Sequence, residues 1–241
     1  MTDPSARPLL VIIPTRSRPE AVDRVMNAWQ DTGAFQVAEP LWVYDRDDPR
    51  AAEYLPKFDR WGGLLRCRSI PQWKPMVHKL DVAALDYARY FDHRHIGFAG
   101  DDHLPRSHGW AHDMVAALDF MGTGIVYPND GYQGEKLATS WAMTADIVRA
   151  LERMVPAPVE HLYCDNAVMD LGRALGALRY LPDVLVEHMH PVAGKAADDE
   201  QYDRVNSRGQ YAKDRPAYKR WRADGGPERC AEIIKGVGVN G

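Results

Sequence analysis

Short apolar runs alternate with amphipathic stretches along this chain. Leu9-Leu10-Val11-Ile12-Ile13 is fully apolar and is stopped by Pro14, the pattern of a buried, parallel strand. Pro19 then suits the first position of a helix, and Val22, Val25, Met26 and Trp29 follow at helical spacing. The alternation repeats. Leu41 to Tyr44 predicts a second strand ending at Asp45, and Leu64 to Arg68 a weaker third. Met76, Leu80, Ala83, Ala84, Tyr87 and Phe91 mark a long amphipathic helix, and His95 to Ala99 a strand that stops at Gly100. Strands alternating with helices imply an α/β protein, with a mostly parallel sheet and helices on both faces.

Beyond Asp102 the pattern loosens. Trp110 to Phe120 predicts a helix; Gly124 to Tyr127 and Leu137 to Met143 predict strands. Thr144 is an N-cap for a helix through Met154. Val168, Leu171 and Leu175 mark a helix closed by Gly176, and Leu178 to His188 a last strand interrupted near Pro182. From residue 191 the chain turns polar. This divides it into a catalytic domain over 1–190 and a tail over 191–241 that packs on or near the site.

Composition narrows the class. The 241 residues are 45% hydrophobic, enough for one large core without disulfides. A formal net charge of -4 gives no general attraction to nucleic acid or anionic membrane. Arg204, Arg208, Lys213, Arg215, Lys219, Arg220 and Arg222 cluster in the tail, and read best as a solvated helix face. Cys67, Cys164 and Cys230 are few, scattered and odd in number, which suggests neither a zinc knuckle nor a disulfide framework. With no leader-like start and no apolar run long enough to span a bilayer, the expectation is a soluble, cytoplasmic protein with no integral membrane association.

Ligands of parallel α/β sheets bind beyond the carboxyl ends of the strands. Those positions hold Pro14-Thr15-Arg16-Ser17-Arg18, Asp45-Arg46-Asp47-Asp48 and Gly100-Asp101-Asp102-His103. One cationic, hydroxyl-bearing loop beside two acidic ones suits a nucleoside diphosphate and a divalent cation, because hard carboxylate oxygens hold the cation and cation and arginines together neutralise phosphate. Taken alone, Asp101-Asp102 is as well explained by an ordinary turn. His188 and His190 fall on one face of the last strand, so one of them could complete a metal site with Asp102; a surface histidine pair is the plainer explanation for either alone. Asp165 opens a helix, as a cap or as a general base. Lys79 is either a phosphate ligand or a solvated helix residue. Trp73 and Trp141 are either core residues or stacking platforms.

Together these segments resemble the GT-A glycosyltransferases, in particular the broad inverting family with one nucleotide-binding domain. Val11-Ile12-Ile13-Pro14-Thr15-Arg16-Ser17-Arg18-Pro19 looks like that family's opening motif, and Phe98-Ala99-Gly100-Asp101-Asp102 like its acidic metal-binding motif. Leu162-Tyr163-Cys164-Asp165 resembles the later motif that carries the base, and Glu187-His188-Met189-His190-Pro191 the strand end that supplies a metal-ligand histidine. The likeness runs from about Leu9 to His190.

The resemblance implies a nucleotide diphosphate sugar as donor, a UDP-sugar foremost, and Mn2+ or Mg2+ as cofactor. It implies that Thr15 and Arg16 contact the nucleotide, with Asp45 near the base and Asp101 at ribose or sugar; Arg18 and Lys79 are added as nucleotide-sugar-binding candidates on their charge. Asp102 would bind the metal with His188 or His190, and Asp165 would deprotonate the acceptor hydroxyl in an inverting single displacement. The chain departs from the family in two places: the acidic motif is Gly-Asp-Asp-His rather than Asp-x-Asp, and Cys164 stands where an acidic residue is common. The rival readings are a non-catalytic nucleotide-sugar-binding module and a nucleotidyltransferase, although the first loop lacks the glycines of the latter. The acceptor stays open, with modified DNA retained as a minor alternative on account of the basic tail.

Overall fold

The computed structural model describes residues 7–189 and 207–238. His190 and residues 191–206, including Arg204, lie outside the described residues. Eight strands form one sheet, in the order β3-β2-β1-β4-β7-β6-β8-β5. They are β1 (Leu9–Thr15), β2 (Ala38–Asp45), β3 (Arg66–Ile70), β4 (His95–Phe98), β5 (His103–Pro105), β6 (Ile125–Asn129), β7 (Trp141–Thr144) and β8 (Leu178–His188). The helices are α1 (Glu20–Asp31), α2 (Ala51–Arg60), α3 (Met76–Tyr90), α4 (Trp110–Met121), α5 (Ala145–Leu151), α6 (Cys164–Leu175), α7 (Arg208–Ala223) and α8 (Gly226–Gly238). The β1/β2, β2/β3, β1/β4 and β6/β8 pairings are parallel, whereas β7 runs antiparallel to both β4 and β6, and β5 antiparallel to β8. The sheet is therefore mixed, with its parallel half at the N-terminus.

Alternation along β1 builds two cores. Leu10 and Ile12 face α3, α5 and α6 through Leu80, Val148 and Val168. Leu9, Val11 and Ile13 face α1, α2 and α4 through Val25, Tyr54 and Met114. Successive strand side chains point to opposite faces, so a run apolar throughout must be covered on both.

Several boundaries differ from the sequence expectation, for physical reasons. β1 continues through Pro14 to Thr15; beyond Ile12 the β4 pairing has ended, and a residue without N–H is tolerated where a strand has one neighbour. β3 lies two residues later than expected: Leu64 and Leu65 pack on the core from a turn, and the strand uses the polar Arg66–Ile70 run, which an edge position allows. Helix α2 was hidden by Pro56 in its interior, and buries only Tyr54 and Phe58. α5 ends at Leu151, with Glu152 left-handed at φ 57°; the Asp81 carboxylate then accepts from the amides of Met154 and Val155, both at 2.9 Å, and leads the chain away. Thr144 occupies the cap position of α5, but its hydroxyl accepts from the amide of Gly124 (3.2 Å) instead of capping the helix.

The described part of the tail is two helices. Tyr218 on α7 and Ile234 on α8 join the core beside α6. Arg208, Lys213, Arg215, Lys219, Arg220 and Arg222 are exposed, so the basic run is a solvated helix face. Cys67, Cys164 and Cys230 are all unpaired thiols. Among the described residues no helix is long and apolar enough to cross a membrane.

Gly172 on α6 is where helix and sheet meet most closely. A Cβ there would lie 2.9 Å from both Cβ and Cδ1 of Leu178 on β8. Gly172→Ala is expected to destabilise the fold by about 1–3 kcal/mol through overpacking, seen as a lower melting temperature. An unchanged melting temperature would mean that β8 gives way freely.

Candidate active site

The carboxyl ends of β1 and β4, the loop before α3 and the start of α6 open onto one cleft of about 470 Å3. Thr15, Arg16, Arg18, Lys79, Asp101, Asp102, Asp165 and His188 all line it. Residues far apart in sequence therefore share one site, because consecutive parallel strands deliver their C-terminal loops to the same edge.

The first loop is held from below. Ser17 is left-handed at φ 59°, and the buried Asp48 accepts from its amide (2.6 Å), from its hydroxyl (3.2 Å) and from the amide of Arg50 (2.9 Å). These bonds fix a conformation that a non-glycine residue rarely adopts. Asp101 is buried, and Thr15 Oγ1 (2.7 Å) and Arg18 (2.9 Å) donate to its two carboxylate oxygens. Arg24 donates to its carbonyl (3.2 Å). Asp101 therefore joins the first loop to the acidic turn, and it lines the cleft together with its partner Arg18.

Asp45 has no exposure and does not appear in the cleft lining; it reaches the cleft through cations. Lys79 donates to its Oδ2 at 2.6 Å and Arg16 at 3.1 Å. Arg16 also donates to Asp47 (2.9 Å). Lys79 is 4% exposed, so it is not a solvated helix residue: it is a buried charge paired with a buried charge, a form in which removing either partner strands the other. Both tryptophans border the cleft; Trp141 does so from the core, whereas Trp73 is 41% exposed.

The acidic turn meets the end of β8. Strand β5 starts at His103 and pairs antiparallel with β8, setting His103 directly opposite His188. The two imidazoles stack with centroids 4.2 Å apart at 18°. The Asp102 carboxylate spans the edges of both rings, its Oδ1 3.0 Å from His103 Nδ1 and its Oδ2 3.5 Å from His188 Nε2. Asp102, His103 and His188 each offer an atom within 4.8 Å of the others, a spacing that lets three side chains share one cation. Burial alone would raise the pKa of Asp102, but His103 and His188 hold it well below the usual carboxylate range. Burial pushes His188 below its ordinary value, favouring the neutral imidazole that a metal requires. Among the described residues, His103 Nε2 is buried with no hydrogen-bond partner.

His103 escaped the sequence reading as a ligand. Its neighbour Asp102 was the available signal, but a three-residue strand leaves no periodicity, and the register against His188 exists only in the folded sheet. His190, the other candidate, lies outside the described residues.

Gly100 is what allows this approach. A Cβ there would lie 2.5 Å from Asp102 Oδ1 and 2.7 Å from His103 Nδ1. Gly100→Ala is expected to weaken Mn2+ binding about 10–100-fold, as loss of groups that orient ligands does, with titration calorimetry as the check. Unaltered affinity would mean that these three groups are not the cation site.

Asp165 lies in the first turn of α6, where its Oδ1 accepts from the amide of Asn166 (2.8 Å). Burial raises its pKa to about 6, with that amide and His188 opposing the rise. A carboxylate so shifted is a competent proton acceptor near neutral pH. Cys164, the departure from the acidic pattern, is the first residue of α6; it is buried against the core at the edge of the cleft, and burial pushes its thiol well above its ordinary value. Glu160, His161, Leu162, Ser207 and Gln210 also line the cleft. Leu162 belongs to the motif around Asp165; the other four carried no sequence signal.

No protein-family model matches the chain and no curated protein matches it. Solved structures do. The mannosyltransferase PcManGT from Pyrobaculum calidifontis, in complex with GDP-Man and Mn2+, superposes with a TM-score of 0.62 over 99% of this chain and 77% of its own, at 13% identity. S. aureus TarS 1-349 superposes with a TM-score of 0.57 over 74% of this chain, at 10% identity. The same protein in complex with UDP-GlcNAc gives 0.54 over 82%, at 13% identity. The chain spans about 60% of the length of TarS 1-349. The fold is thus that of the GT-A-like glycosyltransferases.

Proposed function

We propose that this protein is a metal-dependent glycosyltransferase. It moves a sugar from a nucleotide diphosphate sugar, a UDP-sugar foremost, to an acceptor hydroxyl, with inversion at the anomeric carbon. The observation that carries the reading is the convergence, in one cleft, of the Asp102–His103–His188 group with Asp165. One cluster suits a cation and the other a proton.

The donor set fits the cation. One charged carboxylate and two imidazoles form a mixed oxygen and nitrogen set, which suits Mn2+ better than Mg2+, whose sites are dominated by oxygen. Asp102 and His188 would hold it, with His103 as the third group; His190 stays a candidate from the sequence. When bound, the cation would neutralise charge on the departing diphosphate.

The chain's own residues supply the rest. Arg16, Arg18 and Lys79 bring positive charge to the cleft where the diphosphate would lie, and Thr15 and Asp101 brace Arg18 against the acidic turn. Asp45 acts on the nucleotide through Arg16 and Lys79, which it orients. Asp165 accepts the proton of the attacking hydroxyl, and the oxygen attacks the anomeric carbon from the face opposite the diphosphate. Single displacement of that kind inverts the sugar. The solved structures that share the fold support a nucleotide-sugar donor: in those complexes PcManGT holds GDP-Man and Mn2+ and TarS holds UDP-GlcNAc.

A panel of nucleotide sugars screened by thermal melting, with and without Mn2+, tests the proposal. A ligand that binds only the folded state at 100 times its Kd adds about 2.7 kcal/mol of stability. One donor class should raise the melting temperature, and only with the metal present. No response to any nucleotide sugar would overturn the reading.

A further inference from the structure

The loop that leads into Asp165 is shaped by a carboxylate from the tail. Asp214 on α7 is 1% exposed, and its carboxylate accepts from three consecutive backbone amides: Glu160 (3.0 Å), His161 (3.0 Å) and Leu162 (2.8 Å). Gln210, one turn earlier on the helix, donates to the same group at 2.7 Å. Three successive amides turned towards one anion make a concave backbone site, here filled from within the chain. The next residue, Tyr163, is left-handed at φ 66°, and Asp165 follows two positions later.

Two further residues of α7 continue the contact at helical spacing. Tyr218 stacks on Tyr163 with centroids 5.2 Å apart at 14°, and its hydroxyl donates to the buried Asp170 at 2.6 Å. Arg222 pairs with Asp170 at 3.1 Å. Asp214, Tyr218 and Arg222 are four residues apart, so they form one stripe along the helix. That stripe grips the chain on both sides of Asp165: the amides of 160–162 and Tyr163 before it, and Asp170 after it. Ser207 and Gln210 at the start of α7 line the same cleft.

We propose that Asp214 is a positioning residue for the transfer reaction: by holding the amides of Glu160, His161 and Leu162 it sets the loop that aims Asp165 at the cleft. The tail helix α7 is thereby part of the catalytic unit. The inference rests on the glycosyltransferase reading and on Asp165 as its base.

The test uses the full chain and Mn2+-dependent hydrolysis of the donor selected by the melting screen, with water as acceptor. UDP affinity in the presence of Mn2+ is measured separately. Asp214→Asn keeps the shape but loses the charge and one acceptor; Asp214→Ala removes the anchor. Tyr218→Phe is the comparison: it loosens α7 at its Asp170 end and leaves the 160–162 amides bonded.

Turnover is expected to fall on the order of 10–100-fold in Asp214→Ala, the scale of misplacement acting on a reacting group from a distance, and less in Asp214→Asn. UDP affinity should stay within about twofold, because the metal group and the first loop are untouched. Hydrogen exchange at amides 160–162 should quicken in both Asp214 variants and not in Tyr218→Phe. If Asp214→Ala does not fold, Asp214→Asn carries both readouts. Wild-type turnover in a folded Asp214 variant with freed amides overturns the proposal, as does a loss of turnover matched by Tyr218→Phe. Wild-type protein is assayed first. If it binds the donor with Mn2+ but never turns it over, the glycosyltransferase reading fails along with the inference, whereas normal wild-type turnover with an unaffected Asp214 variant sinks the inference alone.

Discussion

Asp102→Ala is expected to lower Mn2+-dependent turnover of the nucleotide sugar by 100-fold or more, on the order of what loss of a group stabilising the departing charge costs. Asp102 is the only carboxylate of the Asp102–His103–His188 group, and both of its oxygens are committed, one towards each imidazole. Without it two imidazoles remain, stacked 4.2 Å apart, with no negative charge to balance a divalent cation. Binding of Mn2+ alone, followed by calorimetry, should be lost together with turnover. The fold should survive: Asp102 is only partly buried, and the alanine leaves no buried charge unpaired. Retention of metal-dependent turnover in a folded Asp102→Ala protein would remove the basis of the metal assignment.

Asp165→Asn should lower transfer by roughly 10²–10⁴-fold, the range attributed to a positioned general base, and leave donor affinity nearly unchanged. The side chain keeps its size, and its oxygen can still accept from Asn166. The pH profile adds an independent readout. As the proposed base, Asp165 would act when ionised, and burial raises its pKa to about 6. The wild-type rate at saturating Mn2+ should therefore fall as pH drops through about 6 and level off above it.

Stability should move the opposite way. A carboxyl whose folded pKa is raised costs the fold stability once it ionises, so at pH 8 Asp165→Asn should melt no lower than wild type. A variant that loses turnover while keeping both stability and donor affinity is the signature of a base. One that loses all three would make Asp165 a helix residue that the fold needs.

The sequence by itself determined the frame. Fully apolar β1, the amphipathic faces of α1, α3 and α4, and the Gly176 end of α6 are set by local periodicity and turn chemistry, which act within a dozen residues. The strand-end rule also pointed to Arg16 and Asp102, which line the cleft, and to Asp45, which reaches it through Arg16 and Lys79; Asp165 was read from the start of a helix and from the family resemblance.

Tertiary structure decided what the frame could not carry. α2 has a proline in its interior, and β5 is three residues long, so neither has a pattern to read. Which histidine faces Asp102 depended on the register of β5 against β8, a pairing across more than 80 residues of chain that adds His103 to the group. Lys79 read as either a phosphate ligand or a solvated helix residue, and the fold buried it on Asp45. Asp214 carries no signal in the sequence; folding sets it against three amides of the loop before Asp165. In each case the partner is distant in sequence, and burial turns an unremarkable side chain into one whose charge must be satisfied by that partner.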